Sequence, residues 1–250
     1  MSRKKKNEAF KRALSEEIYT YLQPVVNIKE EKIEGWEALS RGPRGTVLER
    51  ADRLFFYAKE KRKTRQLEHR CIKNGLNVLK NIGDKKLFIN VGSSIFASRL
   101  DGIAESFSRQ FKNSNVVLEI TEHFKEDMER IADAAAWYRS MNISIAVDDI
   151  TSGHDRLRTV LYIKPEYFKL DRDLIANCNR DKDRRNIINH LFQLGQSIDS
   201  KVIAEGVQTN EELYTLRQIG IELCQGFIFA RPFPAEKLNK KTEREVLQVV

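Results

Sequence analysis

The strongest constraint in this chain is an alternation: short apolar runs, each closed by polar residues, separated by longer stretches of helical periodicity. The runs are KLFIN (86–90), VVLEITE (116–122), ISIAVDD (143–149), YFKLD (167–171), KVIAEG (201–206) and CQGFIFARP (224–232). Between them, segments such as MERIADAAAWYRSM (128–141) and DRRNIINHLFQLGQSI (183–198) place apolar residues three and four apart, as amphipathic helices do. Repeated strand–helix units of this length predict an α/β fold with a parallel sheet. In 250 residues, the economical closure of such a sheet is a (β/α)8 barrel.

In a parallel barrel the C-terminal strand ends share one rim, where barrel enzymes carry their chemistry. Asn90 closes one run, Glu119 and Glu122 the next, and Asp148 and Asp149 the third; Lys169, Glu205 and Gln225 stand in or beside the later ones. Any one of these reads as a turn former or a helix cap. Six consecutive strand ends of this kind predict a site. Clustered carboxylates either take up protons or hold cations. Oxygen donors without a Cys or His pattern favour the hard ions Mg²⁺ or Mn²⁺. Neighbouring residues on a strand face opposite ways, so Asp148 is expected to face the barrel mouth. Asp149 would swing round at the strand-to-loop break to share or hold a second metal. Two metals about 3.5–4 Å apart are an arrangement that cleaves phosphodiesters.

The rest of the composition mainly excludes. Hydrophobic residues make up 41% and charged residues 32%, a folded-domain balance, and no apolar stretch approaches bilayer length. Cys71, Cys178 and Cys224 are too far apart for a zinc site or a disulfide framework, so a cytoplasmic location is expected. The net charge of +8 favours encounters with anionic partners. The basic runs RKKK (3–6) and KEKRKTR (59–65) read as a solvated tail and a solvated helix face. No nucleic-acid-binding pattern accompanies them, and direct nucleic-acid binding is not expected.

TYLQPVVNIKEEKIEGWEALSR (20–41) carries Glu37-Ala38-Leu39 in a setting that resembles the EAL domains, the cyclic di-GMP phosphodiesterases. The tripeptide alone carries no weight; the ordered set QP, GWEALSR, FINV, LEITE, AVDD, FKLD, AEGV and CQGFIFARP is specific and spans roughly residues 17–234. The resemblance implies a modified TIM barrel with one antiparallel strand, occupying residues 17–236, after a basic arm or helix (1–16) and before a helical tail (237–250). It implies hydrolysis of cyclic di-GMP to linear pGpG with two Mg²⁺ or Mn²⁺ ions per site, Ca²⁺ binding without supporting turnover. Glu37, Asn90, Glu119 and Asp148 would be ligands of the first metal, with Asp148 bridging. Asp149 and Glu205 would serve the second metal and its water, Glu205 also as general base. Lys169 would offset phosphate charge and orient the water, and Gln225 would help hold it. Gln23, Arg41 and Asp171 would contact the ligand, and Glu122 would anchor the loop after the two aspartates. A homodimer and a regulatory protein partner are compatible with the resemblance.

The sequence departs from the family in four places, the slightest being Leu39-Ser40-Arg41 after Glu37. The loop after Asp149 usually reads Phe-Gly-Thr-Gly followed by an aromatic; here it is Ile150-Thr151-Ser152-Gly153-His154. Gln208 stands where the family often has Glu, and residues 48–68 are basic and lack the usual Pro- and Gly-marked turn. No matched metal ligand is lost, so the expectation is catalysis. The altered loop favours the alternatives, a cyclic di-GMP receptor or a protein-binding regulator.

Overall fold

A computed structural model describes residues 3–103, 115–121, 128–150 and 154–249. Among the described residues nine strands form one sheet: β1 (Tyr19–Asn27), β2 (Lys32–Arg41), β3 (Lys86–Val91), β4 (Val116–Ile120), β5 (Ser144–Val147), β6 (Tyr167–Leu170), β7 (Lys201–Ala204), β8 (Leu223–Gln225) and β9 (Phe233–Pro234). Among the described residues the α-helices are α1 (Arg3–Ser15), α2 (Ala51–Glu60), α3 (Thr64–Leu76), α4 (Ser93–Ala97), α5 (Met128–Ser140), α6 (His154–Ile163), α7 (Arg172–Ile175), α8 (Lys182–Ser197), α9 (Asn210–Ile219) and α10 (Lys240–Leu247). None of them is long and apolar enough to cross a membrane.

Strands β2 to β8 pair in sequence order, all parallel, and β1 closes the ring by pairing antiparallel with both β2 and β8. The fold is therefore the expected modified TIM barrel with one antiparallel strand. A four-residue connection joins β1 to β2, too short for a crossover, so this pair can only be a hairpin. The reversal inverts the order along β1: its side chain nearest the rim comes early in the strand.

The barrel is filled below the rim by one apolar layer: Val25, Phe88, Val117, Ala146, Tyr167, Ile203 and Leu223, all buried. Successive strand side chains alternate faces, so the residues two positions further on point inward as well. Those residues are Asn90, Glu119, Asp148, Lys169, Glu205 and Gln225; on reversed β1 the step runs backwards, to Gln23. Asp148 and Glu205 lie just past their strands, but their N–H groups still donate to Ile120 O (3.2 Å) and Leu170 O (2.9 Å), which keeps them in register. The remaining strand of the ring, β2, contributes Gly35 below Glu37. A Cβ at Gly35 would lie 2.7 Å from Lys86 O and 2.9 Å from the Phe88 ring, so Phe88 fills the space for two.

Outside the barrel, a continuous core joins the sheet to the surrounding helices. Trp36 belongs to it, fully buried and edge-on to Phe233 at 5.7 Å. The basic N-terminal segment is a docked helix: Ala9, Phe10 and Ala13 are buried against α2 and α3, and Tyr57 donates to Asn7 Oδ1 at 2.6 Å.

Candidate active site

Lys169 is the centre of the rim. It is 1% exposed, on β6, with its ammonium 2.5 Å from Glu119, in contact with Glu205, 3.6 Å from Glu37 and 4.0 Å from Asp148. Burial alone would discharge this lysine; four carboxylates outweigh it and hold its pKa well above the ordinary value.

One ammonium cannot satisfy four carboxylates, and they respond differently. Burial would also push Glu37 up, but Lys169 and hydrogen bonds from Asn90 and Gln225 keep it below its ordinary value. Asn90 Nδ2 donates to Glu37 Oε1 at 2.9 Å and Gln225 Nε2 to Glu37 Oε2 at 2.6 Å. Glu119 is fully buried, and desolvation with repulsion from its neighbours raises it well above the carboxylate range despite Lys169. Glu205 rises to about 8 for the same reasons, burial first.

The second oxygen of Glu119 is buried without a hydrogen-bond partner, as is Oε1 of Gln225. Orphaned buried acceptors are costly in a folded protein. Glu119, Asp148 and Glu205 each offer a carboxylate oxygen, all within 4.8 Å of one another. An oxygen-only set with surplus negative charge and unmet acceptors fits a hard divalent cation, which would supply the missing charge and coordination together.

Asp149 explains how two adjacent carboxylates reach one site. Its φ is 49°, the left-handed region that Asp tolerates better than most residues, and its N–H donates to Asp148 Oδ1 at 2.9 Å. The backbone turns there, so both side chains line the space above the barrel.

That space has two lobes. One, of about 540 Å³, is lined by Gln23, Lys169, Asp171, Glu205 and Phe227; the other, of about 610 Å³, by Arg41, Phe55, Glu68, Asn90 and Thr121. Glu37, Leu39, Asp148 and Asp149 border both. Gln23 accepts from Gln225 Nε2 at 3.2 Å and donates to Ala230 O at 3.1 Å. Arg41 sits with its guanidinium 5.3 Å over the Tyr21 ring. Asp171 caps α7 by accepting from Leu174 N at 3.0 Å, so it serves the helix as well as the cavity.

The structure thus gathers Gln23, Glu37, Arg41, Asn90, Glu119, Asp148, Asp149, Lys169, Asp171, Glu205 and Gln225 around one two-lobed cavity. Glu122 and the loop residues Thr151, Ser152 and Gly153 lie outside the described residues. Sequence patterns do not single out Arg172, Phe55, Glu68 or Phe227 as lining residues. Arg172 directly follows the motif YFKLD and Phe227 lies within CQGFIFARP; Phe55 and Glu68 lie on α2 and α3, where no motif marks them.

Residues 7–232 match the family described as EAL domain. This chain is an EAL domain protein. Curated relatives of this EAL chain include the bifunctional diguanylate cyclase/cyclic di-GMP phosphodiesterase MucR of Pseudomonas aeruginosa, 29% identical over 62% of the chain and 23% of MucR. The probable cyclic di-GMP phosphodiesterase PdeG of Escherichia coli is 27% identical over 90% of the chain and 46% of PdeG. The chain spans less than half the length of either relative. Among solved structures, an EAL domain protein from Listeria monocytogenes superposes with a TM-score of 0.85 at 22% identity, covering 96% of this chain and 97% of that one. A standalone EAL protein of Vibrio cholerae in its c-di-GMP-bound form gives 0.74 at 28% identity, covering 86% and 92%. Klebsiella pneumoniae BlrP1 with calcium and cyclic di-GMP gives 0.78 at 20% identity, covering 89% and 57%.

Proposed function

We propose that this EAL domain hydrolyses cyclic di-GMP to linear pGpG with the help of divalent cations. The observation that carries the reading is a single buried lysine held among four carboxylates where two cavity lobes meet. The cyclic dinucleotide has two guanosine halves joined by two phosphodiesters. One half would occupy each lobe, leaving a phosphodiester at the shared border of Glu37, Asp148 and Asp149.

Glu37, Asn90, Glu119 and Asp148 would hold one Mg²⁺ or Mn²⁺, and Asp149 and Glu205 a second, as the orphaned Glu119 oxygen and the clustered carboxylates favour. When bound, such ions activate water and neutralise charge on the phosphate. Glu205 accepts the proton of the attacking water; buried beside Lys169, its carboxylate is poised near neutrality. Lys169 Nζ orients Glu119 and Glu205 and adds positive charge next to the phosphate. Gln225 uses its amide N–H groups on Glu37 and Gln23 and keeps Oε1 to accept from water. Arg41 presents a planar fork suited to a phosphate oxygen pair. As water adds to phosphorus, the bond to the 3′ oxygen breaks, that oxygen takes a proton from solvent to become the 3′ hydroxyl, and the ring opens.

The test is incubation of the chain with cyclic di-GMP and Mn²⁺ or Mg²⁺, with products resolved by chromatography. The parent is expected to make pGpG, and Glu205→Gln to lose turnover by about a thousandfold or more while retaining affinity measured in Ca²⁺. Equal rates for the two would remove Glu205 from its role. The altered residues Thr151 and His154 favour a second reading, a receptor that binds cyclic di-GMP without cutting it. Intact substrate recovered from a protein that binds it would select that reading, with Thr151→Gly as the reversion to make.

A further inference from the structure

Glu212 lies in the first turn of α9, outside the rim, yet it is 2% exposed. Its carboxylate takes an unusual set of partners. Thr209 caps α9 and forms a reciprocal capping box with it, the Thr209 N–H donating to Glu212 Oε2 at 3.3 Å. That much is a helix start. The remaining contacts are not. Arg172 Nη1 donates to both oxygens, at 3.0 and 2.9 Å, the Asn177 N–H to Oε1 at 3.1 Å, and the Gln208 N–H to Oε2 at 2.8 Å. One buried carboxylate therefore fastens the segment after β6, which follows Lys169 and Asp171, to the segment after β7, which carries Glu205.

Arg172 completes the link. The same Nη1 donates to Gly206 O at 2.6 Å. Gly206 has a φ of +68°, and a Cβ there would lie 2.6 Å from Arg172 Cδ, so the arginine stem packs into the space a side chain would need. The left-handed turn immediately after Glu205 is thus formed against Arg172, and Arg172 is held in place by Glu212. Burial by itself would raise the Glu212 carboxyl; Arg172 and the loop N–H groups outweigh it and keep the group ionised.

We infer that Glu212 is a positioning residue: acting through Arg172, it sets the backbone of the two loops that bring Glu205 to Lys169. The inference rests on the phosphodiesterase reading for its functional consequence, but the mechanical link stands apart from it. Glu212→Gln keeps the volume and one acceptor oxygen of the cap. It removes the charge partner of Arg172 and turns an NH2 group toward existing donors.

The test compares the parent with Glu212→Gln, Arg172→Lys and the double variant. Three readouts are needed: kcat and KM for cyclic di-GMP with Mn²⁺, affinity in Ca²⁺, and amide hydrogen exchange of peptides covering 172–177 and 204–209. In either single variant both peptides are expected to lose protection together. The kcat falls by up to about a hundredfold, as a misplacement near 1 Å can cost, with KM and Ca²⁺-supported affinity within about threefold. The double variant is expected to be no worse than either single, because the two act as one unit. Parental kcat in Glu212→Gln, with only a lower melting temperature, would make Glu212 a helix cap and overturn the inference. So would loss of protection confined to 204–209. If the parent binds but does not cut cyclic di-GMP, the hydrolase reading fails, and coupled exchange still decides whether the clamp exists.

Discussion

The barrel interior holds two layers one register step apart, and they are assembled by different physics. The lower layer, from Val25 round to Leu223, is apolar, close-packed and complete: Phe88 even covers the position that Gly35 leaves empty. The upper layer, from Gln23 round to Gln225, sets four carboxylates about one ammonium, with Lys169, Glu119 and Glu37 buried and Asp148 and Glu205 partly exposed, and leaves buried oxygens unsatisfied. Burial stabilises the first layer at about 25 cal/mol per Å² of apolar surface. The same burial penalises the second, because desolvated charge is recovered only through good partners. The stable layer is the platform, and the unsatisfied one is where a ligand can gain energy by completing it.

The lower layer carries the largest expected effect. Phe88 is fully buried with its ring edge-on to Tyr167 at 5.3 Å. Phe88→Ala is expected to cost about 3–5 kcal/mol, read by urea denaturation, and to reduce turnover through the residues it supports. A loss under about 1 kcal/mol would mean the layer is not the platform. From above, Glu119→Gln should behave in the opposite way. In chelator it removes a fully buried carboxyl whose ionisation is opposed by desolvation and by its acidic neighbours, so the melting temperature is expected to stay level or rise. On the proposed metal-dependent reading, Mn²⁺ is expected to stabilise the parent by about 2.7 kcal/mol at a hundredfold excess over Kd, and that shift should disappear in the variant. Retention of the full metal-dependent shift would exclude Glu119 as a ligand.

The smallest effect concerns the loops that carry the upper layer. Glu212 has a depressed pKa in the folded chain. Such a group contributes stability above its unfolded pKa, about 4.3, and that contribution is lost as pH falls through the folded value. Thermal melts from pH 6 down to pH 3 should therefore destabilise the parent more than Glu212→Gln, the two curves converging at the acid end. Parallel curves would show that Glu212 has no preferential ionised state in the fold.

Much of this arrangement is legible in the amino-acid sequence. Polar residues at six strand ends locate the rim, because parallel strands share a direction. The Asp148–Asp149 pair announces a backbone turn, since no straight strand can present both. The antiparallel β1 is legible through the family resemblance, and the four-residue connection that forces its hairpin with β2 follows once the strand bounds are known, since a strand's direction leaves no mark in its own composition. The need for Gly35 leaves no sequence signal: it comes from Phe88, a residue on another strand. The Glu212–Arg172 link, spanning 40 residues, is equally hidden, because a Thr-x-x-Glu pattern signals a helix start whether or not its carboxylate has a second task.

The two lobes differ little in size, about 540 and 610 Å³, and they adjoin at a border of only four residues. For a ring-shaped substrate this has a kinetic consequence. On the proposed reading, cutting one phosphodiester would open the ring but shorten neither arm, so the product would still span the same two chambers with nearly the same contacts. Departure of the opened dinucleotide, rather than bond cleavage, would then set the pace of turnover. Accumulated product would also compete with fresh substrate, giving the domain a built-in brake.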